Sequence, residues 1–198
     1  MNEHLNTMKK AIQDYQAAID KAREKIAFHE KYYTPEMAAK EINKIRDGLE
    51  KDKAQAEAKI RQAQDAGKAK VRAWGKLDGD KITSDAKLLD YGITPEQFTE
   101  LVGRYESNGT MLMLLKNYAE KKNTGRGKDD PYFDASGIPS VQEREHAYDV
   151  FAHSAMGLVD NLSKEDTFGQ GAGSPMMQTA VERFGEETAF NTALYNLL

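Results

Sequence analysis

The first 33 residues carry a series of seam residues spaced alternately three and four positions apart. The series runs without a break through Leu5, Met8, Ile12, Tyr15, Ile19, Ala22, Ile26, His29 and Tyr33. This spacing is typical of a coiled-coil seam, which forms one narrow apolar stripe along an otherwise polar helix. Because such a stripe cannot bury itself, the sequence predicts a long first helix that needs a partner helix from this chain or another.

A partner helix is available directly downstream. Thr34, Pro35 and Glu36 have the composition of a new helix start, with a capping threonine followed by proline. The helix after them has its own apolar series, which includes Met37, Ile42, Ile45, Leu49, Ala56, Ile60, Ala63, Val71 and Trp74. Two arrangements fit this pattern, an antiparallel hairpin that turns at residues 33–35 and a single rod that kinks there. The new helix start favours the hairpin.

Composition narrows the class of protein. Apolar residues make up 39% of the chain and charged residues 30%, and the mean hydropathy is −0.73, as expected for elongated helices with small cores. No window approaches the roughly 18–20 apolar residues of a membrane span, and the N-terminal residues lack the apolar core of a secretory signal. The chain has no cysteine, which excludes disulfides and thiolate metal sites and makes a cytosolic location the default.

Beyond the helical stalk of residues 1–75, the sequence predicts a small three-helix module at 76–122. The clearest helix start lies there, where Thr94 and Gln97 form a capping box around Pro95. Residues 123–139 are rich in glycine and proline and are predicted to be a linker. Residues 140–198 then form a C-terminal helical region. No segment has the pattern of a strand, so the predicted fold class is all-α.

The C-terminal region is predicted to contain two helices. Ser140 and Glu143 open the first, which presents Phe151 and Leu158 on its apolar side. Glycines at 169, 171 and 173 form a hinge, and Pro175 begins the last helix, in which Phe184 and Leu198 face inward.

Three motifs were weighed as sites of chemistry, and each has a simpler structural interpretation. Glu143 and His146 have the Glu-x-x-His spacing of di-iron bundles, but those sites need the motif on two helices. The glycine hinge precedes a helix start as phosphate loops do, yet it lacks the preceding strand and the lysine. Residues 88–98 resemble a helix-turn-helix, but acidic side chains on the second helix oppose DNA binding. The sequence therefore predicts no catalytic residues, no metal and no cofactor, and makes a nucleic-acid partner unlikely.

Charge is distributed unevenly along the chain. Residues 1–75 carry 16 basic and 12 acidic side chains, a net charge of +4, whereas residues 123–198 carry 5 and 12, a net charge of −7. A basic end and an acidic end can steer different partners, or a second copy, to each end. The predicted contacts are with protein, through apolar residues of the seam and of the C-terminal helices: Leu5, Met8, Ile12, Tyr15, Ile19, Ile26, Phe151, Leu158, Phe184 and Leu198.

Residues 85–123 resemble small coiled-coil proteins from the structural gene region of phages and prophages of Gram-positive bacteria. The shared pattern is Leu88-Leu89 before a turn, the helix start at 94–96, Tyr105 at the end of that helix, and Asn108 to Met111 opening the next. The resemblance implies a scaffold-like role in virion or head assembly, located in the host-cell cytoplasm or the virion.

The sequence is consistent with two functions. The first is a non-enzymatic phage structural or assembly protein that acts through protein–protein contacts and can form homo-oligomers through its stalk. The alternative is a phage-encoded inhibitor of a host enzyme or defence nuclease, with the acidic C-terminal half as a nucleic-acid mimic.

Overall fold

The computed structural model describes residues 2–125, 132–164 and 175–186 together with Leu197, and these residues contain helices without strands. The all-α prediction is confirmed. In the described residues no helix combines the length and the apolarity needed to cross a membrane. The helices are α1 (Glu3–Tyr32), α2 (Pro35–Trp74), α3 (Leu88–Tyr91), α4 (Pro95–Arg104), α5 (Gly109–Lys122), α6 (Val141–Ser163) and α7 (Pro175–Glu182), with 3-10 turns at Gly79–Lys81 and Ser84–Lys87.

Helices α1 and α2 form the antiparallel hairpin. Asn2 caps the start of α1 by accepting a hydrogen bond from the backbone N–H of His4 at 2.9 Å. The helix ends where Tyr33 becomes extended, and α2 begins two residues later with Pro35. Lys59 of α2 lies 3.4 Å from Asp14 of α1, which requires the second helix to run back along the first. The kinked-rod arrangement is therefore excluded.

The chain divides into two compact units. The first unit comprises Met1–Gly67 and His146–Leu198, and the second comprises Lys68–Glu145. The boundary between the units falls inside α2 and inside α6, because the units are defined by which residues pack together. The predicted segments were instead divided at breaks in the helical pattern, as 1–75, 76–122, 123–139 and 140–198. The predicted segment boundaries thus differ from the boundaries of the compact units.

The core of the first unit lies where α6 and α7 cover the hairpin. Helices α1 and α7 are in contact, and Phe151 of α6 meets Phe184 edge to face at 6.3 Å between ring centroids. Polar contacts hold the same helices together, since Gln64 of α2 donates a hydrogen bond to Asp149 of α6 at 2.6 Å. The largest fully buried side chains of this core are Leu5, Met8, Ile12, Ile60, Tyr148, Val159 and Leu162.

A glycine permits the closest helix contact in this core. Gly67 of α2 is buried against the ring of Tyr148, and a Cβ at this position would overlap the ring. The Tyr148 hydroxyl accepts a hydrogen bond from Asn2 at 2.9 Å. The same ring lies edge-on to His4. Tyr148 thus joins the start of α1 and the C-terminal part of α2 to α6.

The second unit is built around α4 and α5. The predicted capping box is present, because Thr94 accepts from the N–H of Gln97 at 3.3 Å and Gln97 accepts from the N–H of Thr94 at 2.9 Å. The 3-10 turn before it follows Thr83, whose side chain makes no capping hydrogen bond. The core residues are Phe98, Leu101, Leu112, Leu115, Ala119, Phe133 and Ile138.

The segment predicted to be a linker, 123–139, contributes two of these core residues. Phe133 and Ile138 are almost fully buried. Asn123 clamps the backbone of Phe133, accepting from its N–H at 3.0 Å and donating to its carbonyl at 2.7 Å. Lys116 donates to the carbonyl of Ile138 at 2.9 Å. Two side chains of this segment are therefore core residues, which glycine and proline content alone does not reveal.

Candidate protein-interaction surfaces

Most of the predicted interaction residues lie inside the first unit. Seven are buried by other helices of the same chain: Leu5, Met8, Ile12, Tyr15, Ile19, Phe151 and Phe184. Ile26 and Leu158 are half-buried, and Leu198 lies outside the described residues. The seam finds its partners within the chain, so its covered residues stabilise the fold and are not free to contact another protein. The surfaces available for contact lie elsewhere.

The exposed surface of the hairpin is concentrated in its distal half, residues 23–48, where α1 and α2 approach their turn. Leu162, Ser163 and Lys164 at the end of α6 lie beside Tyr15 and Ile19 in a cavity of about 320 Å³. Ile26 and Leu49 line the same cavity and are half-buried, and Ile42 and Ile45, which lie nearer the turn on α2, are half-buried as well. The distal half thus has an apolar seam with less cover than the rest of the hairpin.

Four ring-bearing residues cluster at the turn and are called the aromatic tip: Phe28, His29, Tyr32 and Tyr33. The rings of Phe28 and Tyr32 lie 4.9 Å apart, and His29 stacks on Tyr33 at 4.9 Å between centroids. Phe28 is 52% exposed and Tyr32 63%, and Met37 beside them is 56% exposed. Aromatic rings and methionine are the side chains most enriched at protein interfaces.

A groove runs along the hairpin between α1 and α2 and is called the α1–α2 groove. Its volume is about 580 Å³. Small and aliphatic residues form its floor, and long charged side chains stand at its edges. The described lining residues are Asp14, Ala17, Ala18, Lys21, Ala22, Lys25, Glu41, Lys44, Ile45, Gly48, Leu49 and Asp52.

The charged edges of the groove are weakly engaged within the chain. Lys44 donates a hydrogen bond to Glu41 at 2.7 Å, and this bond is the main reason that the pKa of Glu41 lies below its usual value. Asp14 pairs with Lys59 at 3.4 Å, with both side chains about half exposed. Pairs of this kind contribute little to stability because water competes for both partners. Their charges therefore remain available to a second surface.

Among the described residues of the second unit, Tyr91 is the most exposed large apolar side chain. Tyr91, at the end of α3, is 87% exposed, and Leu88 one turn earlier is 45% exposed. Both line a cavity of about 240 Å³ with Gly92, Ile93 and α4 residues. Gly92 has φ 85° and ends α3. This patch lacks the ring stacking of the aromatic tip and is therefore the weaker candidate.

The motifs weighed for chemistry are engaged in structural roles where they can be seen. Glu143 accepts a hydrogen bond from the backbone N–H of Ser140 at 2.6 Å, which lowers the pKa of its carboxyl group, and Ser140 caps the N–H of Glu143 at 3.1 Å. Across the described residues, no three histidine, aspartate or glutamate side chains are grouped as metal ligands would be. The glycine hinge at 169–173 lies outside the described residues.

No protein-family model matches the chain, and comparison with curated proteins and with solved structures finds no match. The heptad spacing does not indicate the aromatic tip, which is the most prominent of these surfaces. Phe28 and Tyr32 fall outside the heptad series, yet they are spaced four residues apart, which places two rings side by side on the solvent face of a helix. That spacing was the available signal.

Proposed function

We propose that this chain is a non-enzymatic structural or assembly protein that acts through protein–protein contacts, and that the aromatic tip is its main contact surface. The resemblance of residues 85–123 to phage structural-region proteins is the reason for proposing particle assembly, in the host-cell cytoplasm or in the virion, as the setting. Helices α6 and α7 cover one half of the α1–α2 hairpin, and the distal half carries the aromatic tip in solvent.

The observation that carries this proposal is the cluster of rings left in solvent at the turn. Fully burying an exposed phenylalanine is worth about 1.5–3 kcal/mol, and about half of the Phe28 side chain remains exposed and can be buried against a partner. The stacked arrangement holds the rings in place before a partner arrives, which reduces the entropy lost on binding. Aromatic residues held in this way are typical of the residues that dominate binding at interfaces.

The acidic C-terminal half gives less support to the inhibitor alternative. Several of its carboxylates are used inside the chain: Asp160 pairs with Lys53 at 2.8 Å, Glu186 with Lys9 at 3.2 Å, and Glu145 with Arg72. A nucleic-acid mimic needs carboxylates displayed outward in a row, as phosphates are. The inhibitor alternative is retained as an outcome of the experiment below.

The proposal is tested by capture of a partner with a tagged chain, in the organism that carries its gene. The chain is compared with the double variant Phe28→Ser and Tyr32→Ser. Since Tyr91→Ser removes an even more exposed tyrosine from the second unit, it serves as the control. We expect the unaltered chain and the control to retain a particle protein that the tip variant loses. With that partner purified, we expect the unaltered chain and the control to bind it more tightly than the tip variant does.

Two results would contradict the proposal. Retention of every partner by the tip variant would show that the rings do not form the contact. Recovery of a basic host enzyme would favour the inhibitor alternative, if its binding does not depend on the aromatic tip and weakens strongly as salt is added. Circular dichroism of each variant checks that the helices are intact, since residues this exposed contribute little to folding.

A further inference from the structure

The α1–α2 groove has no covering element among the described residues. Its described lining comes from α1 and α2 alone, whereas the cavity that includes Tyr15 and Ile19 is lined partly by the end of α6. The groove thus lies on a face of the hairpin that α6 does not reach, beside a seam that is only half-buried.

The floor of the groove would admit another helix at close range. Ala17, Ala18 and Ala22 line it on α1, and Gly48 lines it on α2. A Cβ placed on Gly48 would meet no atom within 4 Å, so the space above the floor is open. Helices approach one another to about 8–10 Å depending on the side chains at the contact, and small residues allow the shorter distances.

Charge is divided along the length of the groove. Lys21, Lys25 and Lys44 lie in the half nearer the turn, accompanied by Glu41, and Asp14 and Asp52 lie in the other half. A surface that is basic at one end and acidic at the other is complementary to itself when one copy is reversed. A parallel arrangement of two copies would instead place lysines against lysines, which is unfavourable.

We propose that the groove packs against the same groove of a second copy of this chain, antiparallel and about a twofold axis. Contacts of this type join identical patches, so the patch must match its own reversed image. Asp14 and Lys25 are 11 residues apart on α1. An axis midway between them places Lys25 of each copy opposite Asp14 of the other, and this contact is made twice.

The inference rests on the proposed function and names one partner of the assembly protein, a second copy. Because the copies are reversed, the two aromatic tips of such a dimer point in opposite directions. Each dimer could then engage two partners at once, and such bivalent binding strengthens attachment without any new contact. The groove and the tip are separate surfaces, so variants can address them independently.

The test measures molecular mass by analytical ultracentrifugation across micromolar concentrations of the full chain. We expect a concentration-dependent dimer. Lys25→Asp and Asp14→Lys should each weaken association roughly tenfold, because each places like charges in contact twice. The chain carrying both substitutions should recover the association of the unaltered protein, since the charge pair is restored in reverse. Raising the ionic strength should weaken the unaltered dimer.

Steric variants give a second measurement. Ala18→Glu places a long charged side chain on the floor and should abolish the dimer, whereas Ala27→Glu, at an exposed α1 position outside the groove, should leave it unchanged. A monomer at all concentrations, or a dimer that survives Ala18→Glu, would overturn the inference. Neither result affects the proposed function, because tip-dependent partner capture is measured separately, and the tip variant is expected to dimerise normally.

Discussion

The two halves of the hairpin have the same sequence pattern and different surroundings. In the covered half, seam residues such as Ile12 and Ile60 are fully buried under α6 and α7. In the distal half, Ile26 and Ile45 occupy equivalent seam positions and are only half-buried. The difference teaches that heptad spacing identifies which face of a helix is apolar, whereas the elements that cover that face must come from elsewhere in the chain or from another molecule.

The largest difference in the loss of stability is expected between alanine substitutions of two isoleucines, one from each half of α1. Ile12→Ala should lower the free energy of unfolding by about 2–5 kcal/mol, because it removes buried methyl groups and leaves a cavity. Ile26→Ala should cost about 1 kcal/mol or less, since its side chain is partly in water. Urea unfolding followed by circular dichroism measures both. Equal losses would mean that the distal seam is covered as fully as the proximal one.

Alanine substitutions at two glycines of α2 are expected to change the free energy of unfolding by smaller amounts and in opposite directions. Gly67→Ala should destabilise the chain by about 1–3 kcal/mol, because the added methyl group overlaps the Tyr148 ring. Gly48→Ala should stabilise it by about 0.5–1 kcal/mol, since alanine favours the helix and meets no neighbour there. Thermal or urea unfolding at low protein concentration, where association does not contribute, separates the two. Destabilisation by Gly48→Ala would show that the groove is already filled.

The sequence predicts local structure of the hairpin well because its determinants are local. The seam spacing, the new helix start at Thr34 and Pro35, and the capping boxes at Thr94 and Ser140 all act within a few residues. Each is present in the structure. The antiparallel arrangement follows in turn, because a short turn between two long apolar stripes leaves them side by side.

Packing between distant segments could not be predicted in the same way. Phe133 lies in a segment whose glycines and prolines suggest a linker, and only the clamp by Asn123 and the rings around it make it core. Likewise the seam residues were expected to contact another protein, because nothing in their spacing shows that α6 and α7 return to cover them. The heptad series does not indicate the aromatic tip, because Phe28 and Tyr32 lie between its members and because His29 and Tyr33 were expected to be part of the seam.

The smallest expected effect concerns an ion pair that joins the hairpin to α6 near the end of the covered half. Lys53 lies 2.8 Å from Asp160, and this hydrogen bond is the main reason that the pKa of Lys53 is above its ordinary value of 10.5. Asp160→Asn should lower the free energy of unfolding by about 0.2–1 kcal/mol at neutral pH, because the Asp160 side chain is more than half exposed.

The pH dependence of this pair gives the sharper measurement. A lysine whose pKa is raised by folding contributes stability that is fully present below its unfolded value, and that stability is lost as the pH rises through the folded value. The difference between the unaltered chain and Asp160→Asn should therefore be constant near neutral pH and shrink above about 10.5. Asp14→Asn, which removes the looser 3.4 Å pair with Lys59, should show a smaller difference throughout. A difference for Asp160→Asn that persists in strong alkali would mean that the aspartate acts through packing, and the end of α6 would then be held by shape and not by charge.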